Sequence, residues 1–190
     1  MRAWKRHGRG ERARYVAVLD PAEASVLRGL VGQVDDMLTG RDDATPRDEL
    51  AELTGIRTGP ATAPDDPVLA RLLPEFHRAD AEGGAGADGV ALSAAMRSVH
   101  EPELIAAKRQ AIGTLLATCP SGGGRVELTV PEAEAWLTAV NDVRLALGTA
   151  LEITEDMPDQ LPPDDPRTDH LPVYHWLTWL QDSLLTVLLV

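Results

Sequence analysis

Residues 171–190 read LPVYHWLTWLQDSLLTVLLV. At about 3.6 residues per turn, one wide side is apolar: Val173, Tyr174, Trp176, Leu177, Leu180, Leu184, Leu185, Val187 and Leu188. His175, Thr178, Asp182 and Thr186 line up opposite. Such a face must be covered, or it would form a large exposed apolar patch. The length suits a membrane span. Gln181 and Asp182 in its middle, and the absence of basic flanks, exclude that reading. The stretch is expected to be the helix around which the rest of the chain packs. The alternative is a helix that presents this face to a partner.

Outward from it, three more apolar periodicities supply packing partners. Val26, Leu27, Leu30, Val31, Val34 and Leu38 mark a helix over 21–38, with Asp20 as cap, Pro21 at its first position and Glu23 completing a capping box. Leu104, Ile105, Ile112, Leu115 and Leu116 mark one over 103–118. It belongs to a helical region from about Ala91 that Pro102 divides or restarts. Trp136, Leu137, Val140, Val143, Leu147 and Leu151 mark one over 131–151. A brief helix follows Asp66-Pro67, and another lies around Arg47–Leu53.

Arg2–Arg6 and Arg14–Leu19 read as strands of a hairpin around the glycines of His7–Glu11, and 125–130 alternates as a third strand. Strand, proline, helix occurs twice, at Val16–Pro21 and Val126–Pro131. This is either an internal duplication or an ordinary strand-to-helix junction. The expected fold is α+β, mainly α: a bundle-like helical core with a small sheet at one side. One domain is expected over 1–190, with mobile loops near 39–66, 79–90 and 152–170, where Gly, Asp, Ala and Pro accumulate.

The formal charge of −12 is unevenly spread. Residues 1–14 carry Arg2, Lys5, Arg6, Arg9, Arg12 and Arg14 against Glu11 alone, a net +5. Removing these from the chain's 18 basic and 30 acidic residues leaves 12 and 29, a net −17. That body repels nucleic acid, whose affinity rests on phosphate neutralisation. Only the basic hairpin is left as a patch for a partner or a nucleic acid, with DNA binding by the protein alone expected to be weak. One cysteine excludes an internal disulfide, and no apolar signal segment opens the chain. Both suit a cytoplasmic protein.

Cys119-Pro-Ser-Gly-Gly-Gly-Arg125 fits C-x-x-G-x-x-R, the phosphate loop of cysteine-dependent phosphatases. That chemistry needs a thiolate, a nest of backbone N–H groups and an arginine fork. The loop should leave a strand and open a helix; here a helix precedes it and a strand follows. A glycine-rich turn accounts for it better. The five histidines do not cluster, no HExxH occurs and no second cysteine completes a zinc set, so neither a metal nor another cofactor is expected. The paired acids (Asp35-Asp36, Asp42-Asp43, Asp65-Asp66, Asp164-Asp165) suit solvated turns and caps rather than catalytic dyads.

Trp4 among basic residues, the capped first helix, Glu101-Pro102-Glu103-Leu104 and the closing Tyr174-x-Trp176-Leu177-x-x-Leu180-Gln181-x-x-Leu184 together resemble an uncharacterised actinobacterial family of about this length. That family includes an oxidative-stress regulator. The resemblance implies a non-enzymatic regulator that works through protein partners, such as a stress sigma factor or other transcription machinery, on genes of cysteine biosynthesis. It also implies an oxidant switch between two cysteines. This chain has only Cys119, so redox sensing here would need a sulfenic acid or an intermolecular disulfide at Cys119. A homodimer is compatible with the sequence.

Overall fold

The computed structural model describes residues 2–44, 57–76, 87–157, 161–162 and 164–189. The short helix expected at 47–53 lies outside them. Strand β1 (Arg2–His7) and strand β2 (Arg14–Leu19) are followed by helices α1 (Pro21–Asp43), α2 (Pro67–Leu72) and α3 (Ala87–Thr118). Then come strand β3 (Gly124–Leu128) and helices α4 (Val130–Ala150) and α5 (Leu171–Leu188). The protein is α+β and mainly helical, with one three-stranded antiparallel sheet in the order β1-β2-β3.

The sheet is half-buried, and its register shows how. Tyr15 pairs with Arg6 on one side and Leu128 on the other; Ala17 pairs with Val126 and Leu19 with Gly124. These positions face the helices: Tyr15, Ala17, Leu19, Val126 and Leu128 are all buried. The alternate positions face away, as period-2 geometry requires. β1 bulges between Arg2 and Lys5, and Trp4 enters the core there. Trp4 meets Trp136 edge-on, with ring centroids 5.4 Å apart.

Two strand-to-helix junctions start the main helices in the same way. Asp20 accepts the Glu23 N–H while Glu23 accepts the Asp20 N–H, both at 2.8 Å. Thr129 and Glu132 repeat the reciprocal pair before α4. Each box satisfies two otherwise orphaned helix donors. The turn between α3 and β3 crosses the first of these junctions. Gly123, with φ +74°, lies so close to α1 that a Cβ there would sit 2.6 Å from the Asp20 carbonyl carbon. Only glycine fits that crossing.

The centre of the fold is α4, not the closing helix. α4 packs against α1, α2, α3, α5, β2 and β3, whereas α5 packs mainly on α4 and β1. The reason lies in side-chain size. Ala133, Ala139 and Ala146 recur on successive turns of the buried side of α4 and let neighbours approach closely, while Trp136, Val140 and Val143 fill the space between. α5 buries only Leu171, Leu177, Leu180 and Leu184. Leu185, expected inside, is exposed, and Trp176 is half-buried.

Other boundaries differ from expectation for identifiable reasons. α1 runs to Asp43, so residues 39–43, read as loop, are helical. Arg41 holds that last turn by ion-pairing with Glu101 at 2.7 Å. Residues 87–90, read as linker, open α3. The third strand ends at Leu128, because Thr129 is committed to capping α4.

Pro102 does not divide its helix: α3 is continuous through it. A proline leaves the carbonyl four residues back without its helical donor. That carbonyl belongs to Ser98, and the Gly59 N–H fills the vacancy at 2.7 Å. Gly59 rests against the proline ring, so the passing backbone both covers the ring and completes the helix.

Candidate functional site

The outer face of the sheet is covered by no helix among the described residues. Arg2 pairs with Val18, and Val18 with Arg125, forming one row across three strands. Lys5, Val16 and Glu127 form the next row, and His7 with Arg14 the third. Val18 is 44% exposed in the middle of this face. Val16 is buried between its charged neighbours, as long basic stems cover apolar surface beneath them. Arg125 and Glu127, two apart on one strand, point the same way and form an ion pair at 2.9 Å.

The six basic residues of the N-terminal segment separate into two groups. Arg2, Lys5, Arg9 and Arg12 are exposed, the last two on the turn that joins β1 to β2. Arg6 is half-buried on the helix side of the sheet, and its Nε is buried without a hydrogen-bond partner. Arg14 is half-buried and donates to the Ala13 carbonyl at 2.9 Å. Its charge also helps hold the Glu132 carboxyl below its ordinary range, after the hydrogen bonds from the Thr129 backbone and side chain. Arg6 and Arg14 are therefore partly structural. Arg125 joins the exposed set from β3, a placement that strand alternation over 124–128 would have revealed.

Cys119 and Arg125, the two ends of the phosphatase-like spacing, are not brought together. Cys119 is 3% exposed, in the core, while Arg125 lies on the outer face and pairs with Glu127. Burial pushes the Cys119 thiol up, against the pull of the nearby Arg28 guanidinium. Arg28 is engaged: it donates to the carbonyls of Leu116 at 2.6 Å and Cys119 at 2.7 Å, closing the C-terminus of α3. A thiol of this kind is a poor nucleophile and oxidises slowly.

Two buried ionic groups went unread in the sequence. Glu101, fully buried, accepts from Arg97 and Arg41, both at 2.7 Å. Arg97 also reaches the carbonyls of Leu73 and Pro74 and the carboxylate of Glu75, and lies over the Phe76 ring. The set ties the end of α1, the chain after α2 and the first half of α3 together. The Arg97/Glu101 spacing of one helical turn was a visible signal. In the second group, Lys108 on α3 donates to Asp142 on α4 at 2.6 Å. Burial raises the Asp142 carboxyl, opposed by Lys108, and its other oxygen has no hydrogen-bond partner. Both groups lie between packed elements. They fix how helices meet, since removing one member of a buried pair costs about 3–5 kcal/mol.

Among the described residues, no three His, Cys, Asp or Glu side chains converge as metal ligands. No helix among them is long and apolar enough to cross a membrane.

A family model described as a domain of unknown function, DUF2017, matches residues 1–188, and the chain belongs to that family. It is 48% identical over 193 aligned positions to a protein of Mycobacterium tuberculosis named oxidative stress regulator AosR. That alignment spans all of this chain and 88% of the relative. A Mycobacterium leprae protein named putative oxidative stress regulator AosR is 45% identical over 193 positions, spanning all of this chain and 89% of the relative. No solved structure gives a significant match.

Proposed function

With membership of this family as the premise, we propose that the chain is a non-enzymatic regulator in the response to oxidative stress, acting in the cytoplasm through a protein partner. The partner class is a stress sigma factor or another component of the transcription machinery. The observation that carries this is full-chain similarity to relatives named as regulators of that response. The separation of Cys119 from Arg125 adds to it, because a cysteine phosphatase needs both at one phosphate. The docking surface is the outer face of the sheet, where Arg2 and Arg125 flank Val18 and Lys5 lies in the next row, with Arg9 and Arg12 on the turn at the far end of the hairpin. An acidic face on the partner complements it, and the contact weakens with salt.

Capture of the partner from native lysate, with and without oxidant, tests this. The charge-reversed double variant Arg2→Glu/Lys5→Glu should lose the partner while its melting temperature stays unchanged. Retention of the partner by that variant would move the docking surface elsewhere. Tight binding of duplex DNA by the purified protein alone would replace the protein partner with a nucleic acid. Hydrolysis of an aryl phosphate that disappears in Cys119→Ser would restore the enzyme reading. A thiol reagent should label Cys119 slowly in the native protein and rapidly in denaturant. Fast native labelling would return Cys119 to the role of oxidant sensor.

A further inference from the structure

β3 is an edge strand. Gly124–Leu128 pairs with β2 on one side, and among the described residues its backbone has no other hydrogen-bond partner. No described element packs along its far side as β2 does along its near one. An open edge is a template for another strand, and proteins commonly blunt such edges with short strands, charged side chains or a proline. β3 is short and has no proline, and its two exposed charges are of opposite sign, so against a second β3 they attract rather than repel. Its sequence is Gly-Arg-Val-Glu-Leu, with opposite charges placed symmetrically about Val126.

That symmetry has a geometric consequence. In an antiparallel pairing of two β3 strands centred on Val126, Val126 meets its own copy. Arg125 then lies opposite the second copy's Glu127, and Glu127 opposite the second copy's Arg125. Both pairs fall on the outer face, where the two side chains are exposed and directed the same way. Cross-strand opposite charges stabilise such a pair and like charges destabilise it.

We infer that two copies of this chain associate edge to edge through β3, joining their sheets into one six-stranded antiparallel sheet. The contact is isologous, as a two-fold dimer requires. It also places the two basic outer faces side by side on one continuous surface. This inference is independent of the partner docking proposed above, whose test uses Arg2 and Lys5 on the far strand.

Sedimentation equilibrium of the full chain across a dilution series provides the test. Arg125→Glu alone sets glutamates against glutamates twice per dimer and should raise the dimer dissociation constant about tenfold or more. Glu127→Arg alone should do the same. The double variant Arg125→Glu/Glu127→Arg restores both pairs and should restore the dimer. Both substituted positions carry exposed side chains, and circular dichroism confirms that each of the three variants is folded. A monomeric wild type at about 0.1 mM would overturn the inference, since association is governed by concentration. So would a dimer that survives both single reversals, which would place the contact elsewhere. Failure of the double variant to recover would overturn the register.

Discussion

Helices α4 and α5 reverse the expected relation between apolar content and burial. α5 is the more hydrophobic by sequence, yet it buries four residues and leaves Trp179 and Leu185 each 41% exposed. α4 includes Asn141, Asp142 and Arg144, yet it packs against helices and the sheet alike. The difference is one of shape. A helix whose broad buried side is broken by alanines can be approached closely by several neighbours, whereas a helix of large side chains on a narrow stripe is packed mainly from one. Apolar content says how much surface a helix would hide; side-chain size says how many neighbours can hide it.

The largest effect should come from the centre. Trp136 is fully buried, stacks edge-on with Trp4 and donates its Nε1–H to the Thr118 hydroxyl at 2.7 Å. Trp136→Ala removes the buried ring with both contacts and should cost about 3–5 kcal/mol. Against a typical stability of about 5–15 kcal/mol, that leaves a poorly folded protein by thermal melting. Trp176 on α5 is half-buried, and its Nε1 is buried without a partner. Trp176→Ala should therefore cost roughly half as much, about 2 kcal/mol. Equal losses at the two sites would break the ranking of the helices.

The elements themselves were legible in the sequence because local chemistry dictates them. Asp20-Pro21 with Glu23 specifies the start of α1, and the alternation of β2 specifies its faces. The centre was not legible, because centrality depends on which helices meet, and periodicity reports only that a face exists. Pro102 misled for the same reason. Its local effect is to open a helix, and the rescue comes from Gly59, 43 positions earlier in the chain. The outer-face patch was half-legible: Arg2 and Lys5 follow from the hairpin, but Arg125 reaches them only through the β2–β3 register. The inward side of Arg6 also follows from register, not from charge.

A smaller effect separates the two helices at their starts. α4 opens on the Thr129/Glu132 box, while α5 opens at His170 with no side-chain cap bond. Glu132→Ala should cost about 1 kcal/mol at neutral pH. The hydrogen bonds from Thr129, with Arg14 nearby, lower the folded-state pKa of Glu132 below its ordinary value. Its contribution is therefore present above the unfolded pKa and is lost as the pH falls through the folded one. Wild type and Glu132→Ala should converge in denaturant midpoint as the solution is acidified below the usual carboxylate range. A gap that stays constant there would show that the carboxylate is not what stabilises the start of α4.

The smallest effect is expected on the open side of α5. Trp179 is exposed there, close to Asp182 and Ser183 on the next turn, and no hydrogen bond to its indole is described. Trp179→Ala should leave stability within about 0.5 kcal/mol of wild type, as surface substitutions generally do. A second readout makes the prediction sharper. Trp4 and Trp136 are buried and Trp176 half-buried, so a collisional quencher such as iodide should reach Trp179 before the others. The variant should lose most of the quenchable emission while keeping its melting temperature, whereas Trp136→Phe should keep the quenchable emission. Loss of stability in Trp179→Ala beyond about 1 kcal/mol would mean that this side of α5 is covered in solution. In that case the contrast with α4 would be one of partner rather than of shape: α5 would be central to an assembly while peripheral to the single chain.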